Sequence, residues 1–220
     1  FDMAKEMLQG EGITTESILV DDDVAVENST YTAGTRGVGG TVFVEKIVGA
    51  AAEEKKTLSE LKSLGNKVVK NVKSIGIALT SCTVPQAGKP TFTLNEDEFE
   101  FGIGIHGEPG RERLKLKSAD EITTMMMNAI LENIELQKDD EVALLINGMG
   151  GTPLMELYIA SRKVTSILDD KHIKIYKHII GNYITSLEMQ GVSITLLKLD
   201  NELKHYLDAK VKTAGLRWDM

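Results

Sequence analysis

Residues 142–168 read VALLINGMGGTPLMELYIASRKVTSIL. The first five form a continuous apolar run, the pattern of a strand buried on both faces. Asn147 to Pro153 supplies a glycine-rich turn, and Pro153 opens a helix predicted to run to about Leu168. Strand, tight turn and helix in that order are the unit of an α/β fold. The flanking sequence repeats the alternation. Ser74–Thr80, Ile173–Ile180 and Val192–Leu199 read as strands, the first of the same buried type. Val42, Val44, Ile47, Val48 and Ala51 share one helical face. Thr57 with Glu60, and Ser118 with Glu121, have the spacing of capping boxes. They predict helices to about Val72 and about Glu132. Shorter helices are expected over Ala4–Gln9, closed by Gly10 and Gly12, and over Asn201–Leu207. Ser17–Val20 reads as a strand running into three aspartates. Thr91–Leu94 and Glu98–Ile105 read as an antiparallel pair around the turn at Asn95–Asp97, which makes the sheet mixed.

The composition narrows the function. The 220 residues are 42% hydrophobic and 26% charged, an ordinary globular balance. The net charge of −8 argues against a nucleic-acid backbone as partner, since such binding needs clustered Lys and Arg. No apolar run reaches the ~18 residues of a membrane span, and no basic amphipathic face suits a lipid surface. Cys82 is the only cysteine, so no internal disulfide and no cysteine-rich zinc site can form. This fits a reducing cytoplasm. Position 1 is Phe, with no signal-peptide pattern before it, and a longer protein is expected in front.

Eleven of the 20 glycines fall in three clusters, at 34–40, 102–110 and 148–151. Clusters of this kind after strands suggest ligand loops. The strongest is FGIGIHGEPG, residues 101–110, where His106 stands at a strand mouth among small neighbours. A neutral imidazole nitrogen is available near pH 7, because the ordinary pKa is ~6.5. It suits a base, a metal ligand or a nucleophile. Glu108 can fix its tautomer from the second ring nitrogen. A hydrogen-bonded loop histidine is the bland alternative. Gly102, Gly104 and Gly107 fit a dinucleotide fingerprint in spacing, but Pro109, Gly110 and a charged run follow where that motif requires a helix. NGMGGTP lacks the ending of a P-loop and reads as a tight turn rather than an anion cradle. Asp21, Asp22 and Asp23 invite a Mg²⁺ reading, but solvated loop-edge aspartates are the simpler one. Cys82 reads as a buried structural thiol, and His172, His178 and His205 as surface or structural residues.

DDDVAV (21–26), YTAGTRGVGGTV (31–42), IVGAAAE (47–53), SIGIALTSCTVPQAGKPTF (74–92), FGIGIHGEPG (101–110) and SITLLKLD (193–200) together resemble the dihydroxyacetone (glycerone) kinase K subunit. They run through nearly the whole chain in the family's order. The resemblance implies two α/β domains with mixed sheets flanked by helices. Residues 1–72 would be the C-terminal part of the first, and 73–220 a second carrying the histidine loop. It implies that His106 adds through Nε2 to the ketone carbon of dihydroxyacetone, giving a hemiaminal. Gly107 and Glu108 would complete the substrate contact. It implies no metal and no cofactor in this subunit, with ADP/ATP and Mg²⁺ on a separate L subunit that a phosphocarrier subunit recharges. A cytoplasmic homodimer is implied too. The family's GGGSGHEP-type loop and NYTGD-type stretch are absent from these residues, so half of the active site is expected upstream of Phe1. A paralogue that binds the same ketone and co-activates a transcription regulator is the alternative.

Overall fold

The computed structural model describes residues 1–25, 36–105 and 110–218. Six strands form one mixed sheet: β1 (Val72–Ala78), β2 (Glu98–Phe101), β3 (Glu112–Lys115), β4 (Glu141–Gly148), β5 (Lys174–Gly181) and β6 (Gly191–Leu199). Their order is β3-β2-β1-β6-β4-β5. Only β4 and β5 are parallel, joined through helix α5 (Leu154–Asp170); the other neighbours are antiparallel. The remaining helices are α1 (Asp2–Gly10), α2 (Gly40–Glu53), α3 (Leu58–Asn71), α4 (Ala119–Leu131) and α6 (Asn201–Asp208). A short ribbon, β7 (Val211–Lys212) with β8 (Arg217–Trp218), ends the described chain.

The central strands are apolar on both faces because both faces are covered. Alternation along β4 sends Val142, Leu144 and Ile146 to a core shared with α4 and α5. Ala143 and Leu145 point the other way, into a core with α2, α3 and α6. Met126 and Met127 are buried in the first core, so the methionine run of α4 is filler between helix and sheet. Helices from residues 40–71 and strands from beyond residue 72 thus line the same face of the sheet. Both predicted capping boxes are present, at Thr57 with Glu60 and at Ser118 with Glu121.

Two expectations are corrected. Thr91–Leu94 is not a strand. The antiparallel partner of β2 is β3, in register Glu98↔Lys115 to Phe101↔Glu112. Strand β3 reads ERLK and lies at the sheet edge, where one neighbour and open solvent suffice, so no apolar run marks it. Ser17–Val20 forms no ladder either. The chain reaches the sheet just beyond it, where Asp23 makes a single parallel bridge to Ser74. Strand β2 covers only the far end of β1, at Ile77 and Ala78, and leaves Ser74 open to that contact.

Candidate functional site

The β2–β3 register makes residues 102–111 a hairpin loop, and His106 belongs to it by sequence. His106, Gly107 and Glu108 themselves lie outside the described residues. The structure describes the loop's two stems.

On the incoming stem, Gly102 turns the chain at φ +78°, and a Cβ there would stand 2.6 Å from that of Ala25. The N–H groups of Gly102 and Ile103 both donate to the Gly76 carbonyl of β1, at 2.8 and 3.2 Å. The Gly102 carbonyl accepts from Arg36 Nη2 at 2.6 Å. On the outgoing stem, Arg111 N–H donates to the Phe101 carbonyl at 2.8 Å. Glu100, a buried residue of β2, accepts from Gly110 N–H at 3.1 Å and from Arg113 Nε at 3.2 Å.

Two of the three aspartates are not solvated, and one of them, Asp23, is joined to this stem through Arg36. Asp22 is 0% and Asp23 is 1% exposed. Successive residues of an extended segment point to opposite sides, so each finds its own partners. Asp22 accepts from Val38 N–H at 2.8 Å and Gly40 N–H at 2.7 Å, and from the Ser74 hydroxyl. It therefore caps α2 from a distant part of the chain, a favourable place for negative charge. The fit needs glycine at 40, since a Cβ there would lie 2.6 Å from the Asp22 carboxyl carbon. Ser74 continues the network to Thr195 Oγ1 at 2.7 Å, across to β6. Asp23 holds Arg36, with Nε at 2.8 Å and Nη2 at 2.7 Å from Oδ2, while Oδ1 accepts from Ala25 N–H at 2.9 Å.

Burial pushes both carboxyls above the ordinary aspartate range. For Asp22 it outweighs the hydrogen bonds from Ser74, Val38 and Gly40. For Asp23 burial outweighs the attraction of Arg36 and brings it to about 6, with the neighbouring Asp22 adding to the rise.

The other candidates resolve into structure. In NGMGGTP, the N–H groups of Met149, Gly150 and Gly151 are taken by Gly191 O, Asn182 Oδ1 and Met189 O. Asn147 is buried, with its amide bonded to Ile184 O and Ser193 Oγ and its carbonyl to Tyr183 and Ile184 N–H. That stretch is a strand–helix turn. Cys82 is buried with Ala78, Ile103, Met149 and Met189. His205 bonds Glu54 at 2.7 Å, and the His172 carbonyl ties down the turn at Asp139. Among the described residues no group of three or more His, Cys, Asp or Glu could hold a metal ion. An apolar cavity of about 230 Å³ lies between α4, α5 and the ends of β1 and β6. Glu156 is the one ionisable group of its lining, so it offers no convergent acid–base set.

Sequence reasoning did not assign Arg36, Ser74, Thr195 or Glu100 to the site. Arg36 lies in the quoted segment YTAGTRGVGGTV, and a lone arginine among glycines was its available signal. The other three carry no local mark.

This fold places the chain in a class of α/β domains built on one mixed sheet with helices packed on both faces. The model of the Dak1 domain matches residues 1–215, and the chain belongs to that family. It is 48% identical over 215 residues to the PTS-dependent dihydroxyacetone kinase, dihydroxyacetone-binding subunit DhaK, of Lactococcus lactis, covering 97% of this chain and 64% of that one. It is 43% identical over 242 residues to the PEP-dependent dihydroxyacetone kinase, dihydroxyacetone-binding subunit DhaK, of Escherichia coli, covering 99% and 68%. Among solved structures, the dihydroxyacetone kinase operon co-activator Dha-DhaQ superposes with a TM-score of 0.87 at 33% identity, covering 96% and 65%. The chain thus spans somewhat under two-thirds of the length of the Lactococcus relative. The family likeness expected from the motifs is borne out. Among the described residues no helix is long and apolar enough to cross a membrane.

Proposed function

We propose that this chain is the substrate-holding part of a PTS-dependent dihydroxyacetone kinase, acting in the cytoplasm as a homodimer. The neutral His106 Nε2 adds its lone pair to the ketone carbon of dihydroxyacetone. The carbonyl π electrons move to oxygen, which gains a proton as the ring loses one from Nδ1, and a hemiaminal results. Glu108 holds the ring tautomer, and Gly107 leaves room for the ketone. Capture selects ketones and aldehydes over alcohols and fixes the hydroxyl to be phosphorylated. Nucleotide and Mg²⁺ belong to a separate L subunit. Held there, the nucleotide would supply the phosphoryl group that the captured ketone's hydroxyl receives, and the phosphocarrier would recharge it.

The observation that carries this reading is the sequence FGIGIHGEPG on a hairpin whose stems are held by Arg36 and Glu100. The relatives named as dihydroxyacetone-binding subunits support it. The co-activator reading has the Dha-DhaQ structure in its favour, at a lower identity of 33% against 48%. Phosphoenolpyruvate-dependent consumption of dihydroxyacetone, measured with the full-length protein, its L subunit and the phosphocarrier, separates the two. Turnover is expected, and His106→Ala lowers kcat/KM about 100-fold or more. An intact protein that never turns over but binds a transcription regulator would establish the alternative.

A further inference from the structure

The buried pair of Asp23 and Arg36 has no part in the chemistry above, yet it touches the loop that carries it. The guanidinium makes three close contacts, two to Asp23 Oδ2 and one to the Gly102 carbonyl. Asp23 cannot turn to release it, because its second oxygen holds Ala25 N–H and its own N–H donates to the Arg36 carbonyl at 3.1 Å. Gly102 is gripped from both sides: its N–H by β1 and its carbonyl by Arg36. The peptide units on both sides of Gly102 therefore have fixed orientations as the chain leaves β2. A buried ion pair gives little net stability, so its geometry matters more than its energy.

We propose that Arg36, locked by Asp23, is a positioning residue that aims the loop leaving β2 at Gly102, and so sets how readily His106 captures the ketone. The inference rests on the function proposed above. It requires arginine, because a planar fork can serve Asp23 and Gly102 together. A lysine ammonium is a single point on a flexible stem.

The test uses the full-length protein with its phosphoryl-donor partners and three variants. Capture is also read directly, by following the ketone carbon of dihydroxyacetone labelled with ¹³C at position 2 as it becomes tetrahedral. Arg36→Lys is expected to raise KM about tenfold with kcat nearly unchanged at saturation, and to reduce the tetrahedral signal at a fixed ketone concentration. The double variant Asp23→Leu with Arg36→Met removes both charges, a replacement buried ion pairs tolerate. It is expected to fold and to show the same rise in KM. Wild-type KM and signal in a folded variant would overturn the proposal. So would a fall in kcat alone that tracks the folded fraction, or the failure of both variants to fold. His106→Ala is run beside them: if it still captures the ketone, the underlying function is wrong, whatever the other variants do.

Discussion

Asp22 sits where three segments meet, and its carboxyl group answers donors on the other two. Val38 and Gly40 N–H come from the entry to α2, and Ser74 from β1. Removing the acceptor leaves the Val38 and Gly40 N–H groups buried without partners, each at a cost of about 1–3 kcal/mol. Asp22→Ala is expected to destabilise the protein by about 3 kcal/mol or more, read from the urea midpoint at constant m. Asp22→Asn, which keeps one acceptor oxygen, should recover part of the loss. Little of this was legible beforehand. An Asp-Asp-Asp run looks like a solvated edge, and nothing nearby in sequence says that Gly40 and Ser74 will close over it. For His106 the local signal is stronger, since Gly104 and Gly107 beside it are what the sequence reading rests on.

The helices were the most legible elements. The two capping boxes are local devices, complete within four residues, and both formed as read. Thr57→Ala and Ser118→Ala should each cost about 1 kcal/mol in chemical denaturation. Both boxes also carry a pH dependence. Hydrogen bonds from Thr57 and Ser118 hold the Glu60 and Glu121 carboxyls below their ordinary range. A carboxyl held low when folded stabilises above the unfolded pKa of about 4.3, and that share is lost as pH falls through the folded value. A Glu60→Gln, Glu121→Gln variant should therefore be less stable than wild type at pH 7. The difference should shrink on acidification below pH about 4. A gap independent of pH would show that the charge is not involved. The strands were less legible at the edges than at the centre. β1, β4 and β6 are apolar because they are covered on both faces. The edge strand β3 carries the charges that pair Arg113 with Glu100 and Lys115 with Asp97. The more strand-like TFTL at Thr91–Leu94 joins no ladder.

At the scale of the whole molecule, one sheet serves two cores. Leu144 and Leu145 are neighbours in β4, yet they belong to different clusters and different helices. If those layers fold as one body, Leu144→Ala and Leu145→Ala will each cost about 2–5 kcal/mol and lower a single unfolding transition together. Calorimetry on residues 1–220 checks this. Two separable transitions, each sensitive to one substitution, would instead mark an independent unit on either side of residue 72.

Periodicity, caps and buried runs act over a few residues, so the sequence alone determined the helices, the central strands and the α/β class. It also singled out FGIGIHGEPG as the proposed place for chemistry, because its glycines and histidine stand together. Tertiary structure alone decided which residues hold that loop. Arg36 reaches Gly102 across 66 positions, and Ser74 reaches Thr195 across 121. The burial of Asp22 and Asp23 follows from those distant contacts, since a carboxylate leaves water only where folding has already gathered its donors.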